Sequence, residues 1–200
     1  NNVEVDVTRL GGGFGGKEDQ ATSPGCMAAL AAYVLKKPVK VSYHRMDDMR
    51  MTGKRHPYSS DYKIGFTKDL KIVAYEATFH QNAGACADLS PAVMERTLFH
   101  ATNTYFVPNV EVTAYSCKTH LPPNTAFRGF GGPQGMFVIE SAIARAADEL
   151  GITAREIQAK NLFKDGDEVS FGQIVDYGNA EKGFDTYRNK FDYEATAKKV

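Results

Sequence analysis

Residues 11 to 18 read Gly-Gly-Gly-Phe-Gly-Gly-Lys-Glu, and before them Val3, Val5 and Val7 alternate with Glu4, Asp6 and Thr8. A glycine run behind a strand pattern that is wet on one face constrains the fold more than any other feature. On spacing alone, Gly11, Gly13 and Gly16 fit the G-x-G-x-x-G dinucleotide loop, and Gly11 to Lys17 fit the G-x-x-x-x-G-K phosphate loop. Both of those loops follow a strand of a parallel sheet covered on both faces, which reads as a nearly continuous apolar run. Residues 3 to 8 do not read that way. The phosphate loop also needs Ser or Thr after its Lys to bind magnesium, and Glu18, a carboxylate that repels phosphate, stands there instead. The dinucleotide loop needs an acid at the end of the second strand, and the only candidates, Asp47 and Asp48, come late. Two readings remain: a floor of backbone N–H groups with no Cβ to hold an anion off, or a tight turn that merely needs glycine.

Along the rest of the chain, Met27 to Leu35 is Ala- and Leu-rich and predicts a helix that ends before Pro38. Residues 39 to 45, VKVSYHR, predict a strand, and residues 59 to 67 and 72 to 84 predict two more, joined as a hairpin at Lys68-Asp69. Ser90-Pro91 predicts a helix start with Ser90 as cap, and NVEVTAYSCKT an alternating strand. Pro133 opens a helix whose apolar face is Met136, Ile139, Ile143, Ala147 and Leu150, and Thr153 to Phe163 predicts a further short one. The fold class is α+β, with mixed, mostly antiparallel strands. Residues 1 to 165 form one partial domain, and residues 166 to 200 a polar, partly helical extension. The start without Met and the end at Lys-Lys-Val suggest a piece of something longer.

The 24 basic and 24 acidic side chains leave no net field to draw in nucleic acid or an anionic membrane. Cys26, Cys86 and Cys117 are odd in number, far apart and without a C-x-x-C pair, which points to reduced thiols in a cytoplasmic setting. The five histidines show no ligand spacing.

Residues 125 to 135, TAFRGFGGPQG, repeat the logic of the first loop: glycines around an aromatic, an Arg, then a Pro-started helix whose N–H groups at Gln134 and Gly135 favour negative charge. Taken with the intervening GKRHPY, MERTLFH and CKTHLPPNTAFRGFGGPQG stretches, in order over about residues 1 to 165, the sequence resembles the molybdenum-cofactor-binding part of the xanthine dehydrogenase and aldehyde oxidase family.

The resemblance implies a molybdenum-molybdopterin cofactor whose metal has no side-chain ligand, in a larger molybdopterin-binding domain. Gly13 and Phe14 would pack beside the metal, and Ala126, Phe127 and Arg128 would line the cofactor, with Phe14 and Arg128 in the metal's environment. Phe130 would stand over the substrate ring and Leu89 complete an apolar wall. Glu18 and Arg96 are of the purine-hydroxylating type: the carboxylate would bind the purine edge, and the cation would stabilise charge developing on it. An ion pair between those two is the other reading of the same residues. The implied reaction is oxidative hydroxylation of a purine such as hypoxanthine or xanthine, in purine catabolism, with oxygen from water. The family's glutamate base lies in a Gly-Glu-Pro motif that these 200 residues lack. FAD and 2Fe-2S clusters are implied on other domains or subunits, and the piece alone is expected to be inactive. An aldehyde or other N-heterocycle oxidoreductase is the alternative within the family, and a cofactor-free, non-catalytic domain the alternative outside it.

Overall fold

The computed structural model describes residues 4–7, 9–191, 195, 196 and 198. Its centre is a hairpin, β1 (Tyr58–Phe66) against β2 (Ile72–Gly84), paired antiparallel from Tyr58 with Gln81 to Phe66 with Ile72. The connection closes through Thr67, whose N–H donates to the Lys71 carbonyl at 2.9 Å, with Lys68 and Asp69 at the turn as expected. From β2 the chain crosses over through helix α3 (Ser90–Phe99) and returns as β3 (Val110–Lys118), parallel to β2 from Tyr75 with Val110 onward. Parallel strands require such a crossover, so the sheet, in order β1-β2-β3, is mixed.

One face of this sheet is covered by α4 (Gly132–Leu150), which packs on β1 and α3, and α4 is flanked by α5 (Ala154–Asn161). Buried Tyr75 and Phe79 of β2 meet Ile139 and Ile143 of α4 and Ile157 of α5 in the core. Of the expected α4 face, Ile139, Ile143 and Ala147 are buried, Met136 is partly so, and Leu150 faces solvent, while Val138 and Ala142 widen the stripe. Thr153 and Glu156 form a reciprocal capping box that starts α5. Asn161 then ties α5 to the hairpin: its Oδ1 accepts from the Ile72 N–H at 2.9 Å and its Nδ2 donates to the Leu70 carbonyl at 2.8 Å. A last helix, α6, spans Ala180–Lys190.

Four local expectations need correction. Residues 4 to 7 belong to no strand (Val3 and Thr8 lie outside the described residues), and residues 39 to 44 form none either. His44 instead caps a short helix, α2 (Arg45–Met51), its Nδ1 accepting from the Met46 N–H at 3.3 Å. The alternation in both segments is real, but a strand also needs a ladder partner for its backbone groups. Ser90 is not the cap of α3; Leu89 holds that position, and the Ser90 hydroxyl is 2.7 Å from His56 Nε2. The Gly135 N–H is not free, since it donates to the Gly131 carbonyl at 3.2 Å.

The long helix after the first glycine loop, α1 (Thr22–Leu35), begins earlier than its apolar run and buries no residue. Among the described residues no helix is long and apolar enough to cross a membrane.

Candidate functional site

Each glycine loop holds its central aromatic, and the glycine after it, at positive φ. In the first, Gly12, Phe14 and Gly15 have φ of +92°, +50° and +87°; in the second, Gly129, Phe130 and Gly131 have +91°, +50° and +96°. Positive φ at a bulky aromatic costs on the order of 1–3 kcal/mol, and such strain gathers at functional sites. The loops also touch. A Cβ at Gly15 would collide with the Ala126 carbonyl and lie 2.7 Å from the Phe127 nitrogen, so only glycine lets the two backbones meet there.

Three sets of contacts hold this junction. Asp88, at φ +45°, stands between the loops: Oδ2 accepts from Gln20 Nε2 at 2.7 Å, and Oδ1 from Thr125 Oγ1 at 2.5 Å and the Leu89 N–H at 2.6 Å. Arg55 donates from Nη2 to the Arg128 carbonyl at 2.5 Å, with its guanidinium carbon 4.5 Å from the centroid of the Phe127 ring. Behind the second loop, a polar relay crosses the sheet. Ser116 Oγ donates to Gln81 Oε1 at 2.8 Å, Gln81 Nε2 to Tyr58 Oη at 2.8 Å, and Tyr58 Oη lies 2.9 Å from Thr97 Oγ1, itself 3.1 Å from the Gly131 carbonyl. Burial raises the Tyr58 pKa above its usual range, with its hydrogen bonds to Thr97 and Gln81 opposing. His56, only 2% exposed, is pushed down to about 4 by desolvation, with the Asp88 charge opposing.

The residues expected at the site divide into two groups. Gly13 and Phe14 are exposed on the first loop, while Ala126 is buried and Phe127 and Arg128 are exposed on the second; the loops meet at Gly15 and Ala126. Arg96 projects from α3 with its guanidinium carbon 5.8 Å from the centroid of the Phe130 ring, and half-buried Leu89 caps the same helix. Glu18 is exposed and accepts from the Lys17 N–H at 2.9 Å; among the described residues it forms no ion pair with Arg96. Arg55, Asp88, Gln20 and Thr125 were not singled out from the sequence as site residues. Arg55 lies within GKRHPY, but nothing local marks Asp88 or Gln20, because their partners are 37 and 68 residues away.

The chemistry of the donors sets what the site can hold. Among the described residues no group of three or more His, Cys, Asp or Glu side chains could hold a metal ion. The described residues therefore offer a metal no side-chain ligand set of their own. Among the described residues no N–H of residues 11 to 16 donates a hydrogen bond, and a Cβ at Gly11 or Gly13 would meet nothing within 4 Å. Arg55 Nη1 is buried and unpartnered. Backbone N–H groups on the first loop that donate to no other group of the described residues fit an anionic group bound mainly by main chain.

Residues 1–162 match the family model of the molybdopterin cofactor-binding domain. The chain is 47% identical over 176 residues to a xanthine dehydrogenase/oxidase of Felis catus, covering 88% of this chain and 13% of that protein. It is 38% identical over 201 residues to the nicotinate hydroxylase of Emericella nidulans, covering 100% of this chain and 15% of that protein. Among solved structures, the aldehyde oxidoreductase from Desulfovibrio gigas superposes with a TM-score of 0.80 at 28% identity, covering 92% of this chain and 20% of that one. The chain therefore spans only a small part of the relatives it matches.

Proposed function

Because the chain belongs to the molybdopterin cofactor-binding domain family, we propose that it forms one wall of the cofactor site in a cytoplasmic molybdenum hydroxylase acting on purines such as hypoxanthine and xanthine. The observation that carries this reading is the meeting of two glycine loops, one of them lined by unpaired N–H groups. When bound, the molybdenum cofactor supplies the two-electron redox and oxygen-transfer chemistry, with oxygen drawn from water. The Gly13–Phe14 backbone offers N–H donors to its anionic groups, while Ala126, Phe127 and Arg128 line it from the second loop.

On the substrate side, Phe130 offers a ring face or edge to a flat heterocycle. Arg96, beside that ring, stabilises negative charge developing on the purine, and Glu18 accepts a hydrogen bond from its N–H edge. Leu89 shields the site from water. No Gly-Glu-Pro base lies in these residues, so the base that takes the proton belongs to another part of the enzyme. Electrons leave through iron-sulfur and flavin modules on other domains or subunits. The purine assignment is supported by the xanthine dehydrogenase/oxidase relatives together with the residue types at 18 and 96.

A second reading, hydroxylation of another N-heterocycle or of an aldehyde, is favoured by the nicotinate hydroxylase relative. Metal analysis of the full-length protein, followed by dye-reduction assays with xanthine, nicotinate and an aromatic aldehyde, separates the two. Molybdenum with preferred xanthine turnover is expected. Turnover of nicotinate or the aldehyde alone would transfer the assignment, and a metal-free protein would leave only the non-catalytic alternative.

A further inference from the structure

We propose that Asp88 is the positioning residue that sets the two cofactor loops against each other, reaching the first through Gln20 and the second through Thr125. This rests on the cofactor reading of those loops. Gln20 follows the first loop just before α1, and Thr125 adjoins Ala126, whose carbonyl faces Gly15. Asp88 is thus a shared point for two segments more than a hundred residues apart in sequence.

The direction of every hydrogen bond in this junction is fixed. The Gly53 N–H donates to Gln20 Oε1 at 2.7 Å, which commits the other end of that amide, Nε2, to donate to Asp88 Oδ2. At the far side the Leu89 N–H donates to Asp88 Oδ1, which also accepts from the Thr125 hydroxyl. A backbone N–H can only donate, and one stands at each end of the chain of bonds. Position 88 must therefore accept at both oxygens, which an ionised carboxylate does and no other side chain of that size can. The first loop has no backbone hydrogen bond donated from residues 11 to 16 among the described residues, and Thr125 otherwise donates its N–H to the Lys54 carbonyl at 3.1 Å.

This polarity yields a test in which shape is unchanged. In Asp88→Asn, the amide nitrogen faces either the Leu89 N–H or Gln20 Nε2, and turning Gln20 over places its NH2 against the Gly53 N–H. In Gln20→Glu, a carboxylate oxygen faces Asp88 Oδ2. The double variant Gln20→Glu/Asp88→Asn restores every bond. Its amide nitrogen at position 88 donates to the carboxylate at position 20, which still accepts from the Gly53 N–H, and the amide oxygen at position 88 accepts from Thr125 and Leu89. The net charge is also unchanged.

The readouts are the rate at which the full-length protein loses molybdenum on dialysis, the visible circular dichroism of the bound cofactor, and the melting temperature of cofactor-stripped protein. Each single variant should lose molybdenum about tenfold faster, the scale of one charged hydrogen bond, with an altered cofactor spectrum. The double variant should return to within about threefold of the parent, as a restored pair does in a double-mutant cycle. Singles that melt lower yet keep the parent's metal-loss rate and spectrum would reduce Asp88 to ordinary scaffolding and overturn the proposal. A double variant no better than the singles would overturn it as well. Should the singles fail to fold, Thr125→Val, which deletes one bond at constant shape, decides: faster metal loss supports the proposal and an unchanged rate overturns it. A parent protein that purifies without molybdenum would instead overturn the cofactor reading, and this proposal with it.

Discussion

The two glycine loops share a Gly-Phe-Gly-Gly run with the aromatic at φ +50° but differ in what surrounds it. Gly131 and Gly135 of the second loop are buried against α3, where a Cβ at Gly131 would strike the Val93 carbonyl and lie 2.8 Å from Thr97 Oγ1. In the first loop, Gly11 and Gly13 have open space where a Cβ would go, and Phe14 is 70% exposed. Glycine in the two loops therefore has two causes. The fold leaves no room at Gly131 of the second loop or at Gly15 of the first; at Gly11 and Gly13 the first loop has room that this part of the protein does not use, as a ligand surface requires. An aromatic at φ +50° stands in both loops, and its surroundings distinguish a packed wall from an open floor.

The comparison is broken most forcefully at Gly131. Adding one methyl group in Gly131→Ala combines an unfavourable φ of +96° with collision against backbone that cannot swing aside, for a cost of about 4 kcal/mol. The expected outcome is loss of soluble full-length protein. Normal yield and normal melting would show that α3 and the second loop are not the rigid partners described.

A second test asks what that rigidity serves. Arg96 sits on α3, beside Phe130, so Arg96→Met should remove charge stabilisation at the substrate and leave the cofactor floor alone. Purine turnover should fall by about two to three powers of ten, the scale of losing one such stabilising group, while molybdenum content stays at the parent level. Parent-like xanthine kinetics would sink the role of Arg96, and loss of metal would place the residue on the cofactor side.

How much of this was legible in the sequence follows the range of the signal. The hairpin at residues 58 to 84 was readable because alternation and turn chemistry are local, and the helix opened at Pro133 for the same reason. Alternation at residues 39 to 45 was read as a strand and is not one, since periodicity states which side is wet and is silent about the neighbour that completes a ladder. The site shows the same division. Gly13, Phe14 and the run Ala126 to Phe130 announce themselves by composition, and the family likeness supplied roles for Glu18 and Arg96. Asp88 and Gln20 carry no local mark, because what matters about them is the polarity of bonds to residues far away in sequence.

Acid should loosen the footing of the second loop. His56 packs under the second loop, its Nε2 2.7 Å from Ser90 Oγ and its carbonyl accepting from the Gln134 side chain at 3.4 Å. Its pKa is lowered from 6.5 to about 4, so between those values the unfolded chain binds the proton and the folded one resists it. Stability is then full above about pH 6.5 and falls as the pH drops toward 4, by about 2 kcal/mol between pH 7 and pH 5. The difference in urea midpoint between those pH values should shrink in His56→Gln; an equal slope in both proteins would assign the acid sensitivity to other groups.

The smallest expected effect on stability is the most informative about the open floor. Gly13 has nothing within 4 Å of where a Cβ would stand and does not have a positive φ, so Gly13→Ala meets neither collision nor backbone strain. An exposed substitution without such features changes stability by less than about 0.5 kcal/mol, and removing a glycine can even stabilise by restricting the unfolded chain. If the loop is a turn that merely needs glycine, nothing else should change. If it is a floor on which an anionic cofactor rests close to the backbone, the new methyl group occupies the space of the ligand, and bound molybdenum should fall while melting of the cofactor-stripped protein stays put. Dialysis followed by metal analysis, with melting measured on the same preparations, reads both quantities. Parent-level molybdenum in Gly13→Ala would show that the open space at Gly13 is not a ligand surface.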